Sequence, residues 1–72
     1  SRTWRYDVDK VIVLVYYSDG SSTPEVYGYD LTTPKGRLLY TCKLLGCVTW
    51  GYYVKVFEQQ ADGSLKVVDD ND

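Results

Sequence analysis

Residues 11–20 read VIVLVYYSDG, seven apolar or aromatic residues in succession followed by an Asp-Gly turn signal. β-Branched and aromatic residues favour a strand, and Asp-Gly favours a hairpin turn over residues 18–21. A strand with one face in water alternates apolar with polar residues, and this run does not alternate. We therefore predict a strand over residues 11–17 whose two faces are both apolar.

Three more strands are predicted where the pattern has a period of two. The first, residues 25–31, follows Pro24 and places apolar and aromatic side chains on one face: Tyr27, Tyr29 and Leu31. The second, residues 48–57, leads into a turn at residues 61–64 and a short strand at residues 65–68. Its two faces are predicted to carry Val48, Trp50, Tyr52, Val54 and Val56 on one side, and Thr49, Gly51, Tyr53, Lys55 and Phe57 on the other.

Between these strands the pattern changes to the period of a helix. Apolar residues spaced as one helical stripe are Leu38, Leu39, Cys42 and Leu45. Thr33 is a suitable N-cap, Pro34 suits the first turn and Gly46 suits the end, although Gly36 lowers the helix propensity. We predict a helix within residues 33–46. The alternative is that residues 35–45 form another strand.

The element order therefore predicts an α+β fold, β-β-α-β-β, with one short helix packed on one face of a small antiparallel sheet of about four strands. The alternative is an all-β small barrel. The 72 residues make one domain, and residues 69–72, with three of the ten acidic groups, are predicted to be a disordered acidic tail. A chain this short buries only about 60% of the surface of its unfolded form, so its stability is marginal.

One short helix can cover only one face of such a sheet. The covered face is predicted to carry Val11, Val13, Val15, Trp50, Tyr52, Val54 and Val56 against the helical stripe. The other face is predicted to carry the candidate site, formed by Ile12, Leu14, Tyr16, Tyr53, Lys55 and Phe57. An exposed apolar patch of several hundred Å² on a monomer is often functional.

Several occupants could cover this second face. Residues 1–9 read as an arm or a first strand, and its Trp4 and Tyr6 could fold back over the face. A closed barrel would bury the face internally. A second copy of the chain or a different protein would bury it in an interface. The sequence leaves these alternatives open.

The residues that most enzymes use are missing from this chain. It has no His, which removes the commonest general base and metal ligand. Asp7 and Asp9 share a strand face but not a cleft, and no glycine-rich phosphate loop occurs. Two cysteines alone do not make a zinc site, so Cys42 and Cys47 are expected to be free buried thiols. The alternative is a disulfide between them, which would close a very short loop. We predict no enzyme, no metal and no cofactor.

The predicted function is a small binding module, such as a regulator or inhibitor, that acts through its aromatic sheet face on a protein partner or as a homodimer. The alternative is single-stranded nucleic acid, with bases stacked on Tyr16, Tyr53 and Phe57 beside Lys55. The net charge of −2 opposes binding of nucleic acid. Sugar binding is less favoured than nucleic-acid binding. No signal peptide or transmembrane run is recognised, which favours a cytoplasmic location without establishing one.

Overall fold

The computed structural model describes residues 7–17 and 23–68 and confirms the α+β fold. Its elements are β1 (Lys10–Tyr16), β2 (Glu25–Asp30), α1 (Pro34–Trp50), β3 (Tyr53–Gln59) and β4 (Leu65–Val67). The strands form one antiparallel sheet in the order β2-β1-β3-β4. The first and last strands of this sheet do not pair with each other, so the sheet is open and the barrel alternative is wrong.

The central position of β1 explains its unbroken apolar sequence. Strands β2 and β3 flank it, so that Val13 lies opposite Tyr27 on one side and Val56 on the other. Its odd-numbered valines point toward α1 and are at most 1% exposed: Val11, Val13 and Val15. The rest of the buried core consists of Val8, Leu31, Tyr40, Leu44 and Cys47. The even-numbered residues of β1 point to the other face of the sheet.

The helical stripe that faces the sheet differs from the predicted one. Its large buried residues are Tyr40, Leu44 and Cys47, whereas the predicted stripe is exposed: Leu38, Leu39, Cys42 and Leu45. Both stripes are apolar, so the period alone does not say which one faces the sheet. The start of the helix determines which stripe faces the sheet. There the Thr33 hydroxyl accepts the Gly36 N–H at 3.0 Å, and the Gly36 backbone passes closely over the Asp30 carbonyl.

The helix also continues beyond the predicted end at Gly46. It ends at Gly51, whose φ of 75° is the left-handed conformation that favours glycine. The Gly51 and Tyr52 N–H groups donate to the Val48 and Cys47 carbonyls at 3.2 and 2.9 Å. Residues 48–50 are therefore helical, so the prediction that Val48 and Trp50 lie on one strand face, with Thr49 and Gly51 on the other, is wrong. The predicted strand is confirmed only from Tyr53, where β3 begins.

The second predicted hairpin turn is confirmed. Gly63 has a φ of 91°, and the Asp62 carboxylate accepts both the backbone N–H and the hydroxyl of Ser64, at 2.9 and 2.7 Å. The first predicted turn, over residues 18–21, lies outside the described residues. So do the aromatic side chains of Trp4 and Tyr6 and the acidic tail, residues 69–72.

Both cysteines are free thiols, as expected, but only Cys47 is buried and Cys42 is exposed. The prediction that both are buried is therefore wrong for Cys42. Residues five apart on a helix are about 7.5 Å apart along the axis alone, whereas a disulfide spans Cα atoms ~4.4–6.8 Å apart. The helical geometry thus opposes an internal disulfide.

Candidate protein-binding surface

All six predicted site residues lie on the sheet face that α1 does not cover, here called the open face. They are Ile12, Leu14, Tyr16, Tyr53, Lys55 and Phe57. The strand register adds three exposed apolar residues that the sequence reasoning missed: Val26, Leu65 and Val67. Pairing the predicted strands from their turns would have found Leu65 and Val67, because residues opposite each other in an antiparallel pair share a face.

The open face is continuous from one edge of the sheet to the other. Three rows of directly opposed residues carry most of its apolar and aromatic side chains, and Leu65 lies beside them opposite Gln59. The rows are Tyr16–Tyr53, Val26–Leu14–Lys55 and Gly28–Ile12–Phe57–Val67. Opposed side chains in adjacent strands lie ~4.5–5.5 Å apart and contact each other. The rows therefore form one apolar surface and not separate patches.

The outer parts of this surface are strongly exposed. Val26 and Val67, on the two edge strands, are 64% and 66% exposed, and Tyr53 is 61% exposed. Ile12, Leu14 and Phe57, on the two central strands, are half-buried by their neighbours. The open face thus has a strongly exposed margin and a half-buried centre.

Among residues 7–17 and 23–68, Lys55 is the one charged residue at the centre of the open face. It lies opposite Leu14 and between Tyr53 and Phe57 along β3. Within the described strands, the acidic residue on this face is Asp30, at the end of β2 opposite Lys10. The Asp30 carboxylate is engaged by the Thr32 hydroxyl and N–H, and these hydrogen bonds hold its pKa below the ordinary value. No acidic residue of those strands therefore sits in a row with Lys55.

Two tyrosine rings stand together at one end of the open face. The centroids of Tyr16 and Tyr53 are 5.6 Å apart and their planes are tilted by 49°, within the range that favours aromatic pairs. The pair borders Lys55, which is two residues from Tyr53 on the same strand face. Two rings beside an ammonium group offer stacking, apolar contact and charge pairing in one place.

A second polar cluster lies on the opposite side of the sheet, where β2 meets the helix. The Tyr17 hydroxyl donates to Glu25 Oε1 at 2.5 Å, and the Tyr27 hydroxyl donates to the same oxygen. Lys43 Nζ lies 3.9 Å from the centroid of the Tyr27 ring, a cation–π contact. The two phenols, followed by Lys43, hold the pKa of Glu25 below its usual value, and the bond to Glu25 raises the pKa of Tyr17.

Replacing Glu25 with Gln should change how the tyrosines titrate. Without the carboxylate, the Tyr17 pKa is expected to fall back toward 10, its unperturbed value. Phenolate absorbance measured through an alkaline titration should then show one more of the eight tyrosines ionising in the ordinary range. Glu58→Gln is the matched control and should leave the curve unchanged. Identical titration curves for wild type and Glu25→Gln would contradict the assigned hydrogen bonds.

The same pair sets the sign of two pH effects on stability. The Glu25 pKa is lower in the folded state, so its contribution is present above about pH 4.5, the unperturbed value, and is lost as the pH falls through the folded pKa. The Tyr17 pKa is raised, so its contribution is present below pH 10 and is lost as the pH rises through the folded pKa. Glu25→Gln should weaken both dependences.

A cavity of about 180 Å³ lies beside the C-terminal half of α1 and is lined by Tyr17, Cys42, Lys43, Gly46, Cys47, Trp50 and Tyr52. It is smaller than the ~300–1,000 Å³ of ordinary ligand pockets. Burial raises the pKa of the Cys47 thiol, and an un-ionised thiol is a weak nucleophile. Among residues 7–17 and 23–68, no three His, Cys, Asp or Glu side chains come together as a metal site.

Comparison of the chain with protein-family models, with curated proteins and with solved structures found no match. In the part of the chain that the structure describes, no helix has the length and apolar character needed to cross a bilayer.

Proposed function

We propose that the protein is a small non-enzymatic binding module, a regulator or inhibitor, whose open face is covered by another protein. The observation that carries the proposal is the continuous apolar surface across all four strands, in which the described residues place one ammonium group, that of Lys55, at the centre. Interface cores are depleted in charge and enriched in aromatic residues, and the open face has this composition.

The energy of covering this face supports a stable complex. Burying a large apolar side chain contributes ~1.5–3 kcal/mol relative to leaving it exposed. The most exposed apolar residues of the open face are Val26, Tyr53, Leu65 and Val67, and the half-buried residues at its centre add to them. The summed free energy of burying these side chains is comparable with the ~4–15 kcal/mol cost of association. A partner must therefore cover most of the face.

Lys55 favours a different protein over a second copy of this chain. Two copies stacked by their open faces would bury two Lys55 ammonium groups, and burying an unpaired charge is costly. The acidic residue available on the described part of each face, Asp30, lies at the margin opposite Lys10. A partner with a flat apolar surface and a carboxylate opposite Lys55 would avoid this cost. We therefore assign an acidic group to the centre of the partner surface.

Selection from a random peptide library displayed on phage tests this proposal while the identity of the partner is still open. Peptides selected by the immobilised protein should be rich in apolar and aromatic residues and should carry an Asp or Glu. Their binding should be lost with Tyr53→Glu and with Lys55→Glu. The matched control is Leu45→Glu, which changes an exposed leucine on α1 and should bind normally. Selected peptides that bind all three variants equally would refute the open face as the site.

Single-stranded nucleic acid is the second candidate, favoured by the alternation of ring, ammonium and ring at Tyr53, Lys55 and Phe57. The charge distribution opposes it, because the described open face carries only Lys10 and Lys55 as bases and also Asp30. We expect no binding of oligothymidylate or oligouridylate at low salt. Binding that weakens with salt and disappears in Lys55→Glu would replace the protein-partner proposal.

A further inference from the structure

The helix has a second apolar side that faces away from the sheet, here called the outer helix face. It carries five strongly exposed apolar residues: Leu38, Leu39, Leu45, Val48 and Trp50. Leu38 and Leu45 lie opposite the buried stripe of Tyr40, Leu44 and Cys47. The other three lie on the flanks of the helix, Val48 on one side and Leu39 and Trp50 on the other. A helix on the surface of a domain normally presents polar residues there. The outer helix face is thus a separate surface from the open face, on the other side of the molecule.

The spacing along the outer helix face is that of a helix-pairing seam. Leu38, Cys42, Leu45 and Thr49 follow one another at intervals of four, three and four residues. The average interval is about 3.7 residues, close to the ~3.6 residues per turn of a straight helix, so the row can face a second helix that crosses at a shallow angle. The two leucines stand on either side of Cys42, whose small side chain allows the helix axes to approach closely.

The charges of α1 leave the outer helix face nearly neutral. The helix contains no acidic residue, and two of its three bases turn toward the sheet. Arg37 Nη1 donates to the Leu31 carbonyl at 2.9 Å, and Lys43 lies over the Tyr27 ring. Lys35, in the first turn, is the remaining base. An occupant of this face must therefore be apolar over the length of the seam and must tolerate one positive charge at its N-terminal end.

We propose that a second copy of this chain covers the outer helix face in an antiparallel helix pair. The dyad lies next to Cys42, so Leu38 of each copy packs against Leu45 of the other. In this arrangement Lys35 of one copy lies beside the last turn of the other copy's helix, which is the negative end of that helix dipole. The exposed Trp50 ring of the other copy lies at the same end, where it offers a cation–π contact to Lys35. A parallel pair would instead bring two Lys35 side chains and two positive helix ends together.

The available area supports a weak dimer that forms at high concentration. The two seam leucines and the three flanking residues offer at most about 500 Å² per copy, at roughly 100 Å² each. The symmetric pair then buries at most ~1,000 Å², which is the size of a weak or transient interface. The seam of the second copy has the same length and is equally neutral. It is therefore the apolar occupant that the charges of α1 require.

Oxidative cross-linking tests the location of the dyad. Helix axes ~8–10 Å apart with Cα atoms ~2.3 Å from each axis leave facing Cα atoms roughly 3.4–5.4 Å apart. The upper part of this range matches the ~4.4–6.8 Å that a disulfide spans. Diamide oxidises two thiols by taking up two electrons and two protons at its N=N bond while the S–S bond forms. The native protein should give a covalent dimer that Cys42→Ser abolishes and Cys47→Ser retains. A native dimer that gives no Cys42 cross-link would overturn the antiparallel pair.

Sedimentation equilibrium at high micromolar concentration tests the surface itself. Leu45→Glu should raise the dissociation constant of the dimer by about 30-fold or more, and Tyr53→Glu, on the opposite side, should leave it unchanged. A monomeric wild type overturns the proposal. So does a dimer lost in Tyr53→Glu but kept in Leu45→Glu. A wild-type monomer that binds phosphatidylcholine–phosphatidylglycerol vesicles through Leu45 would assign the face to a membrane surface instead.

Discussion

Gly36→Ala is expected to destabilise the protein by about 3 kcal/mol, although alanine is intrinsically the better helix former by ~1 kcal/mol. A Cβ atom at this position would lie 1.8 Å from the Asp30 carbonyl oxygen and 2.8 Å from its carbon. Neither atom can move alone, because both belong to the backbone of Asp30, the last residue of β2, which pairs with Lys10 of β1. The helix would have to tilt away from the sheet and lose contacts of the buried Tyr40.

Gly46→Ala is the matched control, since this glycine lies in the same helix and an added Cβ would meet no atom within 4 Å. Relief of the glycine penalty should stabilise the protein by up to ~1 kcal/mol. Urea unfolding followed by circular dichroism measures both variants. Equal effects of the two substitutions would mean that the helix does not pass over Asp30 as described. For a chain of this size, with roughly 4–11 kcal/mol of total stability, a difference of this size is readily measured.

Leu44→Ala should cost about 2–5 kcal/mol, as expected when a buried leucine is truncated. Leu45→Ala should change the stability of the monomer by only a few tenths of a kcal/mol. The two residues are adjacent, but Leu44 is 3% exposed and Leu45 is 49% exposed. Both free energies of unfolding should be measured at low protein concentration, where self-association does not contribute. A larger loss from Leu45→Ala would place the predicted stripe, and not the observed one, against the sheet.

The strand pattern could be predicted because each strand has a local signal. The apolar run of β1 indicated a strand with two apolar faces, and the structure places this strand between β2 and β3, a position that was not predicted. The Asp-Gly dipeptide at residues 62–63 marked the turn between β3 and β4. Since side chains alternate strictly along a strand, a correct register of residues 53–57 was enough to place Tyr53, Lys55 and Phe57 on one face.

The helix could not be oriented from the sequence because its apolar residues surround it. Tyr40, Leu44 and Cys47 form a stripe as good as Leu38, Cys42 and Leu45, and only the tertiary contact at Gly36 distinguishes them. The sequence reasoning treated Gly36 as a weak point of the helix, whereas its missing side chain permits the close approach to Asp30. Gly46 resembled a helix end, but Gly51 supplies the left-handed cap.

The two apolar surfaces on opposite sides of this two-layer molecule set the geometry of any larger assembly. Pairing copies through both surfaces would add protomers without closure and produce a fibre. Pairing through the helices alone yields a discrete, double-ended particle with its two sheet faces on the outside, roughly 30 Å apart across four layers. These faces point in opposite directions, so such a dimer cannot bind one flat target through both of its open faces. It would bridge two target molecules and hold them back to back at a fixed separation.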